Sequence, residues 1–337
     1  MGIWIVTGIL FAVSPLVAHG GLSESSMQAM LPFAGVLAIA AIGQTLVIQQ
    51  GGLDLSIAGS FSLGVVLITI IPGGKSSGLV EGLLVVAAVG LAAGLINGIA
   101  ISKVGITPLV TTLGMNGILI GVEQEVTHGS INFAAPSNWS SFTQSKVGGI
   151  TVLALVALVV VVLASIVMRR TVWGREFELT GANPKAARAA GLPVARYQIG
   201  SYMLAGLCYA LAGALLAGYL GHPQLDSGND YQLPSIAVVV LGGTALGGGR
   251  GSLIATAVAV LFLSQLDQVL DVLGVSSAIQ SVIQGAVIAL SMALRGVPFS
   301  LRSWRGGGVA GHGKDNKTSS ISTGTEESVV STSVASR

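Results

Sequence analysis

From Ile150 to Met168, and again from Tyr197 to Leu220, the sequence runs without one charged side chain. Hydrocarbon offers a backbone no water to bond, so a crossing segment is a helix of about 20 largely apolar residues. Ten intervals fit that description: 2–18, 30–48, 56–72, 79–101, 107–122, 150–168, 197–220, 233–247, 253–270 and 277–294. None alternates apolar with polar residues, which excludes barrel strands. Charged residues make up 9% of the 337, against about 25% in an ordinary soluble domain. The chain therefore reads as an all-α polytopic protein of the cell (inner) membrane, with about ten transmembrane helices. The first run lacks the basic flank of a secretory signal and is taken as an uncleaved span.

Basic residues orient these spans. With the loop 169–196 placed in the cytoplasm, alternation of sides puts 14 of the 16 Lys and Arg inside, leaving only Lys75 and Lys146 outside. That asymmetry is the positive-inside pattern, and it places both termini in the cytoplasm. Residues 1–300 form the expected transmembrane domain, with an outer loop at 123–149 long enough to fold locally. From 305 to 337 the chain is rich in Ser, Thr and Gly, and is expected to be a disordered cytoplasmic tail. A net charge of +2 gives no reason to expect nucleic acid. The one cysteine, Cys208, permits no internal disulfide, and the four His show no ligand spacing, so no metal, cofactor or catalytic residue is assigned. Gly74-Lys75-Ser76 imitates the end of a P-loop, but Thr69 stands where its first Gly is needed.

The cytoplasmic loop carries a bounded short helix. Asn183 is an N-cap residue, Pro184 suits a first turn that needs no amide donor, and Gly191 suits the left-handed C′ position. Between them lie Lys185, Ala186, Ala187 and Arg188, a small-residue surface with two cations. Such a knob fits either a groove on a cytoplasmic partner or an anionic lipid surface.

Ala-Ala-x-x-x-Gly at 186–191, followed by Leu-Pro, resembles the EAA-type loop with which ABC importer permeases contact their ATPase. Lys185 stands where that loop usually has Glu. The wider stretch 170–194 resembles the ribose, xylose and branched-chain amino acid permease family, sugar branch. GQTLVIQQGGLDLSIAGS (43–60), ITPLVTTLGM (106–115) and VVVLGGTALGGGRGS (238–252) resemble three further segments of that family in the same order. The resemblance implies a permease subunit of an ATP-driven importer, most simply of a monosaccharide. It implies a cytoplasmic ATPase, an extracellular or periplasmic substrate-binding protein, and a second permease copy, identical or paralogous. Its coupling residues would be Gly181, Asn183, Pro184, Lys185, Ala186, Ala187, Arg188 and Gly191.

Polar residues within the spans are few. Asp54, between two apolar runs beside Gly51-Gly52, must cap, pair or face water, because a carboxylate at membrane depth costs about 2.5–3.5 kcal/mol on insertion scales. It reads either as a cap near Ile57 or as part of a broken-helix transport path. Gln44, Asn97, Thr111, Thr112, Asn116 and Asp267, with Thr45 and Gln265, serve either interhelical hydrogen bonds or a lining suited to a hydroxyl-rich solute. Gly90, Gly94 and Gly98 repeat at helical spacing and are expected to admit a neighbouring helix closely. From residues alone a secondary transporter or an embedded enzyme competes with the permease. Sparse intramembrane acids weigh against the first, and scattered His against the second.

Overall fold

The computed structural model describes residues 2–18 and 20–296; the tail expected at 305–337 lies outside the described residues. Among the described residues there are α1 (Gly2–Val17), α2 (Glu24–Gln49), α3 (Ile57–Ile70), α4 (Leu79–Ile99), α5 (Pro108–Thr127), α6 (Ser137–Gln144) and α7 (Val152–Arg170). They continue as α8 (Val172–Ala182), α9 (Pro184–Ala189), α10 (Val194–Leu220), α11 (Asn229–Leu241), α12 (Leu253–Val272) and α13 (Ser277–Gly296). Each of the ten apolar intervals holds one helix. Five helical stretches, in α2, α4 with its flanking turns, α7, α10 and α12, are long and apolar enough to cross a membrane. The protein is all-α and polytopic; its only strands among the described residues form a small hairpin, Lys146–Val147 with Ile150–Thr151.

α10 is the hub, packing against α2, α3 and α4, while α7, α11 and α12 also lie on α2 and α5 lies on α3. Small residues set how near these backbones come. A Cβ on Gly90 would stand 2.6 Å from the carbonyl oxygen of Gly206, and one on Gly98 2.7 Å from Cα of Ile199. The expected close approach along the α4 glycines is therefore real, and α10 is the helix they admit. Cys208 is a half-buried thiol packed against the core.

Several boundaries differ from expectation; α2, for one, begins at Glu24 rather than near 30. α5 runs on to Thr127, because Glu123 does not enter the outer loop: it is 1% exposed and accepts the amide of Asp226 at 3.1 Å. α11 begins and ends earlier than 233–247, stopping where Gly243 turns to a φ of +101°. The loop 169–196 contains α8 as well as α9. Thr171 caps α8 by accepting the amide of Gly174 at 3.1 Å, and Phe177 packs between Trp173 and Tyr197.

Candidate functional site

A break between α2 and α3 gathers a cluster of buried polar side chains. Gly51 takes a φ of +76°, which turns the chain out of α2, and a Cβ on Gly52 would overlap the hydroxyl of Tyr202. Residues 52–55 are unwound, inside a bundle where an unpaired peptide group is costly. Side chains from two other helices, α5 and α11, supply the missing partners. The amide of Leu55 donates to Thr112 Oγ1 at 3.0 Å, and its carbonyl accepts from Gln232 Nε2 at 3.1 Å. One turn on, the amide of Gly59 donates to Asn116 Oδ1 at 2.7 Å.

Asp54 sits at the middle of this break, fully buried. Its Oδ1 accepts both the amide of Ser56 at 2.9 Å and the Ser56 hydroxyl at 2.6 Å. Asp54 thus bonds an amide at the head of α3, that of Ser56, next to Ile57. Asn97 Nδ2 donates to the same Ser56 hydroxyl at 3.0 Å, tying α4 to the cluster. Asp54 Oδ2, Asn97 Oδ1 and the Tyr202 hydroxyl are buried without a hydrogen-bond partner. Local geometry therefore uses half of the carboxylate and leaves the other half free.

Of the residues expected along a path, Asp54, Asn97, Thr112 and Asn116 meet here. Gln44 does not join them through any hydrogen bond; its Oε1 accepts from Tyr209 at 2.6 Å. Thr111 donates to Thr107 on its own helix at 3.1 Å. Asp267 accepts from Gln284 at 2.7 Å, Gln265 Nε2 donates to Ser14 at 2.6 Å, and Thr45 donates to Ala41 at 2.6 Å. These are packing bonds within or between helices. Ser56, Tyr202 and Gln232 belong to the break and are not distinguished by the sequence; the only signal for Gln232 is an amide two residues ahead of Pro234 in an apolar helix.

The loop 169–196 reaches the same break through α8. Asn183 Oδ1 accepts the amide of Ala186 at 3.0 Å, and Gly191 has a φ of +82°, so both ends of α9 are built as its sequence indicates. Lys185, Ala186 and Arg188 are exposed. Ala187 is not part of that free face: at 6% exposure it is turned into the protein. Gly181 is also inward, since a Cβ on it would overlap the carbonyl of Gln49.

α8 links α9 to the break. Gln50, the residue before Gly51, donates from Nε2 to the carbonyl of Phe177 at 2.7 Å and accepts from Thr180 at 3.3 Å. Beside the end of α8 the amide of Gly249 donates to the carbonyl of Gln49 at 2.8 Å. All four family-like sequence segments therefore touch one structural element. Segment 106–115 reaches it through Thr112, 170–194 through Phe177 and Thr180, and 238–252 through Gly249.

Comparison with known proteins gives the same assignment. The family model described as branched-chain amino acid transport system / permease component matches residues 26–292. The chain is similar to the ribose import permease protein RbsC of Bacillus subtilis (strain 168), 33% identical over 87% of this chain and 90% of that protein. Ribose import permease protein RbsC of Escherichia coli (strain K12) is 32% identical, over 84% of this chain and 89% of its own. The autoinducer 2 import system permease protein LsrD of Yersinia enterocolitica is 34% identical, over 77% and 80%. No solved structure matches.

Proposed function

The chain belongs to the branched-chain amino acid transport system permease family, and we propose that it carries a monosaccharide or a similarly small, hydroxyl-rich solute. It is the membrane-spanning subunit of an ATP-driven ABC importer, a transport component and not an enzyme. Hydrolysis falls to a separate cytoplasmic ATPase, and an external binding protein delivers the solute. The permease works as a pair, with an identical or a paralogous second copy. Ten crossings, with both termini in the cytoplasm, agree with the placement of 14 of 16 basic residues on one side.

One observation carries the mechanism: Gln50 is held by α8 directly below the α2–α3 break. A push or pull on α9 by the ATPase is transmitted through α8 to a segment that lacks helical bonds of its own. Unwound backbone at membrane depth is where transporters place substrate sites, because only there are polar groups free to bind. The neutral partners around it, Asn97, Thr112, Asn116 and Gln232, suit hydroxyls better than ions, and the bonds of Gln44, Gln265 and Asp267 suit structure. Expected of reconstituted vesicles is uptake of a labelled monosaccharide that needs ATP at the ATPase, binding protein on the other side, and no sodium. Uptake driven by a sodium gradient without ATP would contradict this and favour a secondary transporter.

A further inference from the structure

Beside α9, and separate from the break, lies a cavity of about 540 Å³ lined by Lys103, Arg188 and Arg196, with no carboxylate in its wall. None of the three cations has an ion-pair partner among the described residues. Lys103 belongs to a π-helical turn, Ala100–Val104, that ends α4, and Arg196 lies in the first turn of α10. Both helices are of membrane-crossing length, so the cavity sits where they leave hydrocarbon. Leu192, Val194 and Ile199 give it an apolar floor. Ile96 and Ile99 are 56% and 37% exposed and precede Lys103 at helical spacing, and Val104 is 68% exposed beside it. An uncovered apolar strip thus leads along α4 into a cleft with a charge of three.

We propose that this cleft binds the headgroup of an anionic phospholipid, its phosphate diester held by Lys103, Arg188 and Arg196 and its acyl chains lying on α4. Basic pockets between helices at the cytoplasmic surface are suited to such headgroups. An acidic segment of the ATPase would match the charge as well, but not the apolar strip that runs on from it toward the bilayer centre. The inference rests on the orientation proposed above, which places the cleft at the cytoplasmic leaflet.

The test uses the full chain in nanodiscs of phosphatidylcholine doped with phosphatidylglycerol, with lipid retained after detergent extraction measured by mass spectrometry. Wild type should retain phosphatidylglycerol over phosphatidylcholine. The pair Lys103→Gln and Arg196→Gln should lower that preference by about thirtyfold, as each basic residue near an anionic surface gives about fivefold. Lys103→Arg with Arg196→Lys should restore it, which separates charge from folding. Equal retention by wild type and the Gln pair would overturn the proposal. So would loss of ATPase copurification in the Gln pair with lipid retention intact, which would make the cleft a protein contact. Stabilisation by inorganic phosphate alone, without retained lipid, would also overturn it. Retention in detergent does not depend on sidedness, so a wrong orientation shows separately, as labelling of a Lys103→Cys variant from outside intact cells.

Discussion

Trp at position 186 is expected to abolish coupled transport while leaving the permease folded. Ala186 is exposed on α9, and its neighbour Asn183 caps the helix through the backbone amide, not the methyl group. A bulky ring there removes no internal contact. It blocks a small-residue surface from entering a partner groove, and central interface positions cost about 2 kcal/mol or more when disrupted. ATPase copurification should therefore fall by about thirtyfold, with thermal stability of the isolated permease unchanged. Ala187→Trp should do the reverse first: the site is buried, and overpacking costs about 1–3 kcal/mol of stability. Equal melting of the two variants, or normal copurification with Ala186→Trp, would remove α9 from the coupling path.

The second large effect concerns Asp54. Asn in its place keeps an acceptor for the Ser56 amide and hydroxyl but loses the charge and the free carboxylate oxygen. Membrane levels should hold. Uptake should fall by about tenfold or more, since hydrogen bonds to charged groups contribute about 1.5–3 kcal/mol. Leu goes further, leaving two buried donors on Ser56 unpaired, each costing about 1–3 kcal/mol, so levels should fall too. Uptake normalised to membrane level distinguishes these outcomes. Normal kinetics in Asp54→Asn would reduce Asp54 to a structural bond at the head of α3.

Much of this was written plainly in the sequence. Membrane helices satisfy their own backbone, so apolar length alone marked where helices lie, and the Asn183 and Gly191 signals marked both ends of α9. The orientation of α9 was not legible, because Ala stands on every side of it and composition cannot say which methyl faces in. α8 was hidden for a related reason. Its buried face is made by Gly174, Phe177, Thr180 and Gly181, a set too polar and too small to read as an apolar stripe.

The site was half legible. Asp54 and Gly51-Gly52 announce a break, since neither belongs in an apolar helix. Which polar residues reach that break depends on rotation about helices that the sequence leaves undefined. Thr111 and Thr112 are adjacent and chemically identical, yet only Thr112 faces Leu55. Gln232 reads like Gln44 or Gln265, a lone amide in a span, until the fold sets it against an unwound carbonyl.

The link between α9 and the break rests on Gln50, which touches neither the ATPase surface nor Asp54 through any hydrogen bond. Gln50→Leu keeps the volume but removes the bond to Phe177 and the acceptor for Thr180. Its direct test is ATP hydrolysis and uptake measured together in vesicles holding the assembled importer. The expected result is normal ATPase assembly and continued hydrolysis with uptake reduced by about tenfold, the loss of one buried hydrogen-bonded group. Uptake per ATP equal to wild type would show that motion reaches the centre of the permease by another route.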